Sequence, residues 1–225
     1  MRLVPGKNRG YEQLAALDML EGKTGEAIAE YRRLPTPVED GDLASNIGSA
    51  YFYANRMTEA RQYYALAISL KPNDAVLQQN LGDCLLRLGR QQEARAAYRA
   101  AVHLAEEELR QTPGDPDLRV RHATYLAKAG ECAAAVRALA AIDPALTRAS
   151  ADCAVWTAKT YSLCGDHARA LVALRRAIGL GYPVQGILSE DEFDALRDDP
   201  GFLRLTRVRG GSAGTPGTSG STGSP

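Results

Sequence analysis

A surplus of charge of either sign is missing from this 225-residue sequence: 27 Lys and Arg stand against 27 Asp and Glu. A balanced chain has no bulk positive field to hold phosphate backbones or anionic lipid, so neither nucleic acid nor a membrane surface is an expected partner. No stretch approaches the roughly 20 consecutive apolar residues of a membrane span. The opening MRLVPGKNRG lacks the apolar centre of a secretory signal, and the chain as given reads as cytoplasmic. Cys84, Cys132, Cys153 and Cys164 show none of the CxxC pairing of metal or redox sites. They are expected as reduced, partly buried thiols. His103, His122 and His167 fit no HExxH or Cys/His metal spacing, and no GxSxG elbow, glycine-rich phosphate loop, HRD or DFG triplet occurs. The expectation is a non-enzyme with no cofactor, no metal and no catalytic residue.

What the sequence does have is a period. Turn signals recur in EGKTGEA, ANRMTEA, LGRQQEA, AGECAAA and CGDHARA, each with an alanine five residues after a Gly or Asn. The alanines are Ala27, Ala60, Ala94, Ala135 and Ala170, at intervals of 33 to 35 residues except for one of 41. Gly or Asn at each break suits a helix ending in left-handed geometry. Helical patterns precede and follow every break, so the pattern predicts five helical hairpins. Small residues such as Gly48, Ala60, Gly82 and Ala94 fall where two helices cross closely, with Tyr64 and Tyr98 filling the space around the crossing. The interval of 41 predicts that the third hairpin's second helix runs on to about Arg110, its stripe continuing through Val102, Ala105 and Leu109.

Read together, these residues resemble the tetratricopeptide repeat family from Tyr11 to about Leu180. The resemblance implies an all-α, right-handed superhelical solenoid at 8–180, preceded by an arm at 1–7 and followed by short capping helices at 181–209. The tail from 210 to 225 contains only Gly, Ser, Thr, Pro and one Ala and is expected to be disordered. SEDE at 189–192 offers a capping box, with Ser189 capping and Glu192 answering, and Asp199-Pro200 starts another helix. The carboxylates from Glu190 to Asp199 have no EF-hand order, and capping and solubility account for them. The extended LAEEELRQTPGD and the closing segment are similar to the C-terminal repeat regions of bacterial multidomain Ser/Thr kinases and winged-helix regulators. On that resemblance the chain would be the regulatory part of a signalling protein whose output domain lies elsewhere.

The family resemblance further implies that the first helices line a concave groove for a peptide or partner protein. Its residues would be Ser49, Phe52 and Tyr53, then Asn80, Asp83 and Arg87, then Arg121, Thr124 and Lys128, and finally Lys159, with Ser45, Asn46, Gln79, Leu86, Val120 and Ser162 beside them. Phe52 and Tyr53 are the expected anchors, because aromatic side chains give large contact area for little ordering entropy. Arg87, Lys128 and Lys159 come from successive first helices and would suit an extended, acidic partner. As exposed charges they would contribute only about 0–1 kcal/mol each. Asn46, Asn80 and Arg121 match part of the family's carboxylate clamp, but Ser45 and Asp117 stand at the lysine places, leaving it incomplete. Self-association is a further expectation.

Overall fold

The computed structural model describes residues 7–34 and 37–207, so the tail expectation at 210–225 and most of the expected arm lie outside the described residues. Among the described residues, helices pack as five successive antiparallel hairpins with no strand. The first pairs α1 (Lys7–Leu20) with α2 (Thr24–Tyr31), the second α3 (Gly41–Tyr53) with α4 (Met57–Leu70), and the third α5 (Ala75–Arg87) with α6 (Gln91–Gln111). The fourth joins α7 (Pro116–Lys128) to a short α8 (Cys132–Ala140), after which Asp143 and Pro144 start the single turn α9 (Pro144–Thr147). The fifth is α10 (Ala151–Leu163) with α11 (His167–Gly179). Beyond it come α12 (Val184–Leu188), a 3-10 helix (Asp191–Leu196) and α13 (Pro200–Thr206).

Every break between paired helices has a residue at positive φ: Gly22, Asn55, Gly89, Gly130 and Gly165. Asn55, at φ 58°, is the one that carries a side chain, and asparagine tolerates this region because its short amide can satisfy local backbone groups. The five phased alanines are almost completely buried at the crossings. Asp40, Asp74, Asp115 and Ser150 accept backbone N–H bonds and so cap the first helices of hairpins two to five. The expected lengthening of α6 is present, ending at Gln111 with its stripe buried through Ala105.

The close crossing is clearest at Gly82. A Cβ there would lie 2.7 Å from Cδ1 of Tyr98 and closer still to Cε1. The ring cannot swing aside freely, being buried and donating its hydroxyl to Asp83 Oδ1 at 2.7 Å. Gly82→Leu is expected to lose about 1–3 kcal/mol through overpacking. Gly114→Leu, where a Cβ meets open space, should leave the urea midpoint unchanged, and equal midpoints for the two variants would contradict the crossing.

Two local expectations are corrected. Cys132 and Cys164 form a disulfide, with Cα atoms 5.3 Å apart, because stacking of hairpins four and five brings the start of α8 against the end of α10. Cys84 and Cys153 remain free and buried. The SEDE capping box does not form: Ser189 ends α12 and donates to the Gly186 carbonyl at 2.8 Å, while Glu190 stands at the 3-10 helix start without a side-chain cap. Asp199 does cap α13, accepting from Gly201 N at 2.6 Å, with Pro200 as its first residue. Ile187, Phe193, Leu196 and Phe202 are fully buried in one apolar cluster with α10 and α11, so this segment covers the edge of the last hairpin.

Candidate functional site

The first helices α3, α5, α7 and α10 line a cavity of about 620 Å³ together with Tyr64 of α4 and Tyr98 of α6, and residues 189–192 form a further wall. Stacking of the hairpins places side chains one hairpin apart in a row. Ser49, Phe52, Tyr53, Asn80, Asp83, Arg87, Arg121, Lys128 and Lys159 all lie around this cavity, together with Gln79, Leu86 and Trp156. Thr124 does not. It is fully buried between α7 and α10, where its hydroxyl is 2.8 Å from that of Thr160 and also donates to the Trp156 carbonyl at 3.1 Å. Val120 and Ser162 are likewise buried, and Asn46 faces a separate dent beside Glu12, Tyr31 and Asp42. The partial carboxylate clamp is therefore split, with Asn80 and Arg121 in the groove and Asn46 outside it.

Phe52 and Tyr53 sit at one end but differ in exposure. Phe52 packs partly against the core and carries the Arg87 guanidinium over its ring at 4.2 Å, whereas Tyr53 is 59 % exposed. Leu86 is also half exposed, and Trp156 lies under the Lys159 ammonium at 4.6 Å. Apolar and aromatic surface thus remains open beside the cations.

Lys128 and Lys159 are not solvated charges, contrary to the sequence expectation, whereas Arg87 stays partly exposed. The Lys128 side chain is only 6 % exposed, donating to Asp83 Oδ1 at 2.6 Å and pairing with Glu192 Oε1 at 2.5 Å. Lys159, equally buried, pairs with Glu190 at 2.8 Å and reaches Glu192 at 4.0 Å. Arg87 makes a two-pronged bond to Asp191, Nε to Oδ2 at 2.7 Å and Nη2 to Oδ1 at 2.8 Å. Ser162 donates to the Glu192 carbonyl at 2.7 Å and fixes the backbone of this short stretch. Of the carboxylates assigned to capping and solubility, Asp199 does cap a helix, but Glu190, Asp191 and Glu192 act over long range instead: three successive acidic residues engage three cations from three successive first helices.

Burial alone would raise the Glu192 carboxyl, but the Lys128 and Lys159 ammoniums outweigh it and hold the group at about 2. Glu190 moves the other way. Burial first, and the Glu192 charge after it, lift its carboxyl above the ordinary range despite the pull of Lys159. Burial also works against the charged form of Lys128, and Asp83 and Glu192 together reverse that and raise its pKa. Because Glu192 is lowered from an ordinary 4.5, its ionised form stabilises the fold above that pH. The contribution is lost as pH falls from about 4.5 towards 2, and its size is roughly 3 kcal/mol. The stability gap between the protein and Glu192→Gln, measured by urea unfolding, should be full at pH 6 and close across that window. A constant gap down to pH 2.5 would contradict the pairing.

Among the described residues no group of three or more His, Cys, Asp or Glu is placed to hold a metal ion, and no helix is long and apolar enough to cross a membrane. None of the curated proteins matches the sequence. Among solved structures, a thermophilic TPR protein of Thermus thermophilus superposes with a TM-score of 0.58 at 16% identity, covering 77% of this chain and 91% of that one. YrrB, described as a TPR protein with an unusual peptide-binding site, is 23% identical, with a TM-score of 0.43 over 76% of this chain and 84% of its own. PcrH, solved in complex with the chaperone binding region of PopB, is 18% identical, with a TM-score of 0.43 over 61% of this chain and 96% of its own. The Thermus likeness speaks to the fold alone, and the two looser superpositions carry no argument. The family model described as tetratricopeptide repeat matches residues 42–74 and 75–108, the second and third hairpins. With the helical hairpins continuing on both sides of that stretch, the chain is an all-α solenoid that carries tetratricopeptide repeats.

Proposed function

We propose that this chain is a non-enzymatic protein-interaction module that binds an extended segment of a partner in the concave groove. The observation that carries the reading is the open aromatic and apolar wall of the 620 Å³ cavity, where Tyr53 and Leu86 stay exposed on a concave surface. Exposed aromatic groups in a concave site supply contact area at low ordering entropy. The ionisable groups around them favour binding over catalysis, because Asp83, Glu192, Lys128 and Lys159 are tied to one another in ion pairs. Ser49, Phe52, Asn80, Asp83, Arg87, Arg121, Lys128 and Lys159 would surround the bound segment. Thr124 has no part in it.

The test is a displayed peptide library panned against the protein, followed by affinity measurement on the protein and on Tyr53→Ala. Loss of an interface aromatic weakens binding by about 2 kcal/mol or more, roughly thirtyfold. Helical circular dichroism should be unchanged, because Tyr53 contributes little to the core. Selected peptides that bind Tyr53→Ala as tightly as the unsubstituted protein would place the interaction outside this groove.

The resemblance of the closing segment to bacterial kinase and winged-helix regulators supports placing such a module within a larger signalling protein. The cytoplasmic reading rests on the sequence. The Cys132–Cys164 bridge weighs against it, since disulfides persist mainly in oxidising compartments.

A further inference from the structure

Resting on the groove reading, we infer that residues 189–192 are a built-in competitor for the groove, and that its partner is an acidic segment presenting Glu-Asp-Glu-like carboxylates beside an apolar side chain. The stretch Glu190-Asp191-Glu192 satisfies Lys159, Arg87 and Lys128 in turn. It does so through side-chain carboxylates, which any acidic segment of similar spacing can supply.

Three features separate this stretch from a permanent seal. Its neighbours already have their own anchors: Ile187 on one side and Phe193, Leu196 and Phe202 on the other are buried against α10 and α11. The C-terminal end therefore remains docked when the acidic tip lifts. Apart from the Ser162 hydrogen bond to the Glu192 carbonyl, the tip is held by little regular structure, being flanked by the five residues of α12 and opening a single 3-10 helix. Third, the tip leaves Tyr53 and Leu86 uncovered next to it, whereas a segment that served only to close the solenoid would bury them.

Exchange of one set of carboxylates for another is chemically near-neutral, because the same kinds of ion pair are broken and remade, whereas a buried charge left unpaired is costly. The basic residues of the groove therefore demand an acidic occupant at all times. Without the tip, the lining helices contribute Arg87, Arg121, Lys128 and Lys159 against Asp83, Asp117 and Asp152, so the vacated site selects for negative charge. The tip is tethered and so acts at an effective concentration in the millimolar range. A foreign segment prevails by adding contacts that the tip lacks, which the open wall at Tyr53 and Leu86 provides.

The probe is a fluorescent synthetic peptide containing SEDEF, titrated against the full chain and against Glu190→Gln/Asp191→Asn/Glu192→Gln, which keeps the shape of the tip and removes its charge. The expected result is at least tenfold tighter binding to the triple variant, abolished when Lys159→Glu is added. If the triple variant fails to fold by circular dichroism, Glu190→Gln/Asp191→Asn, which retains the buried Glu192–Lys128 pair, should still show at least threefold tighter binding. Equal affinity for the unsubstituted chain and for whichever variant folds would overturn the inference, as would equal binding of a peptide carrying SQNQF. A dimer of the unsubstituted chain that the charge-removing substitutions dissociate would also overturn it, since the occupant would then be a second copy. Library peptides that depend on Tyr53 but gain nothing from removing the tip's charge would leave the groove reading intact and refute the competitor alone.

Discussion

Lys128→Met is expected to lose about 3–5 kcal/mol of folding stability, since removing one member of a buried ion pair strands its partners without compensation. Asp83 and Glu192 would both be left in the groove wall, and Asp83 would keep only the Tyr98 hydroxyl and the Gln79 amide. An exposed lysine would give a far smaller effect, about 0–1 kcal/mol. Adding Glu192→Gln to Lys128→Met should restore part of the loss, because one stranded charge is removed. Urea unfolding of the protein, the two single variants and the double variant gives the coupling directly. High salt should change it little, since buried pairs are weakly screened. Additive losses would mean that Lys128 and Glu192 do not pair in solution.

Reduction of the Cys132–Cys164 bridge should lower stability by about 3–4 kcal/mol, the chain-entropy value for a loop of roughly this length. The bridge spans a sequence separation of 32 residues and ties the α7–α8 turn to the end of α10. Those two helices carry Lys128 and Lys159, both of which pair with Glu192. Cys164→Ser should unfold at the same urea concentration with or without reductant, while the unsubstituted protein should move down to meet it. A midpoint of the unsubstituted protein that ignores reductant would show that the bridge is not formed.

Much of this architecture is legible in the sequence because it is local and repeated. The left-handed breaks, the buried alanines and the length of α6 each follow from residues within one hairpin, and five copies reinforce a weak pattern. The assignment of the first helices to a concave groove follows instead from the family resemblance, which carries over position by position along each repeat. Thr124 marks the limit of that logic. It occupies a groove-phase position, but the packing of α7 on α10 turns it into a helix–helix contact with Thr160. The disulfide and the acidic tip escaped for a different reason. Arg87 and Asp191 are 104 residues apart, and no pattern within either segment indicates that the superhelix returns one to the other. A run of carboxylates beside serine reads locally as a capping box, and the tertiary ion pairs override it.

Hydrogen exchange of the unsubstituted protein, with and without a saturating groove peptide, tests most directly whether the acidic tip and a partner share one site. The expected result is faster exchange across residues 190–192 when the peptide binds, with residues 193–196, α10 and α11 as protected as before. Undiminished protection of residues 190–192 in a chain shown to be saturated with peptide would contradict the shared site.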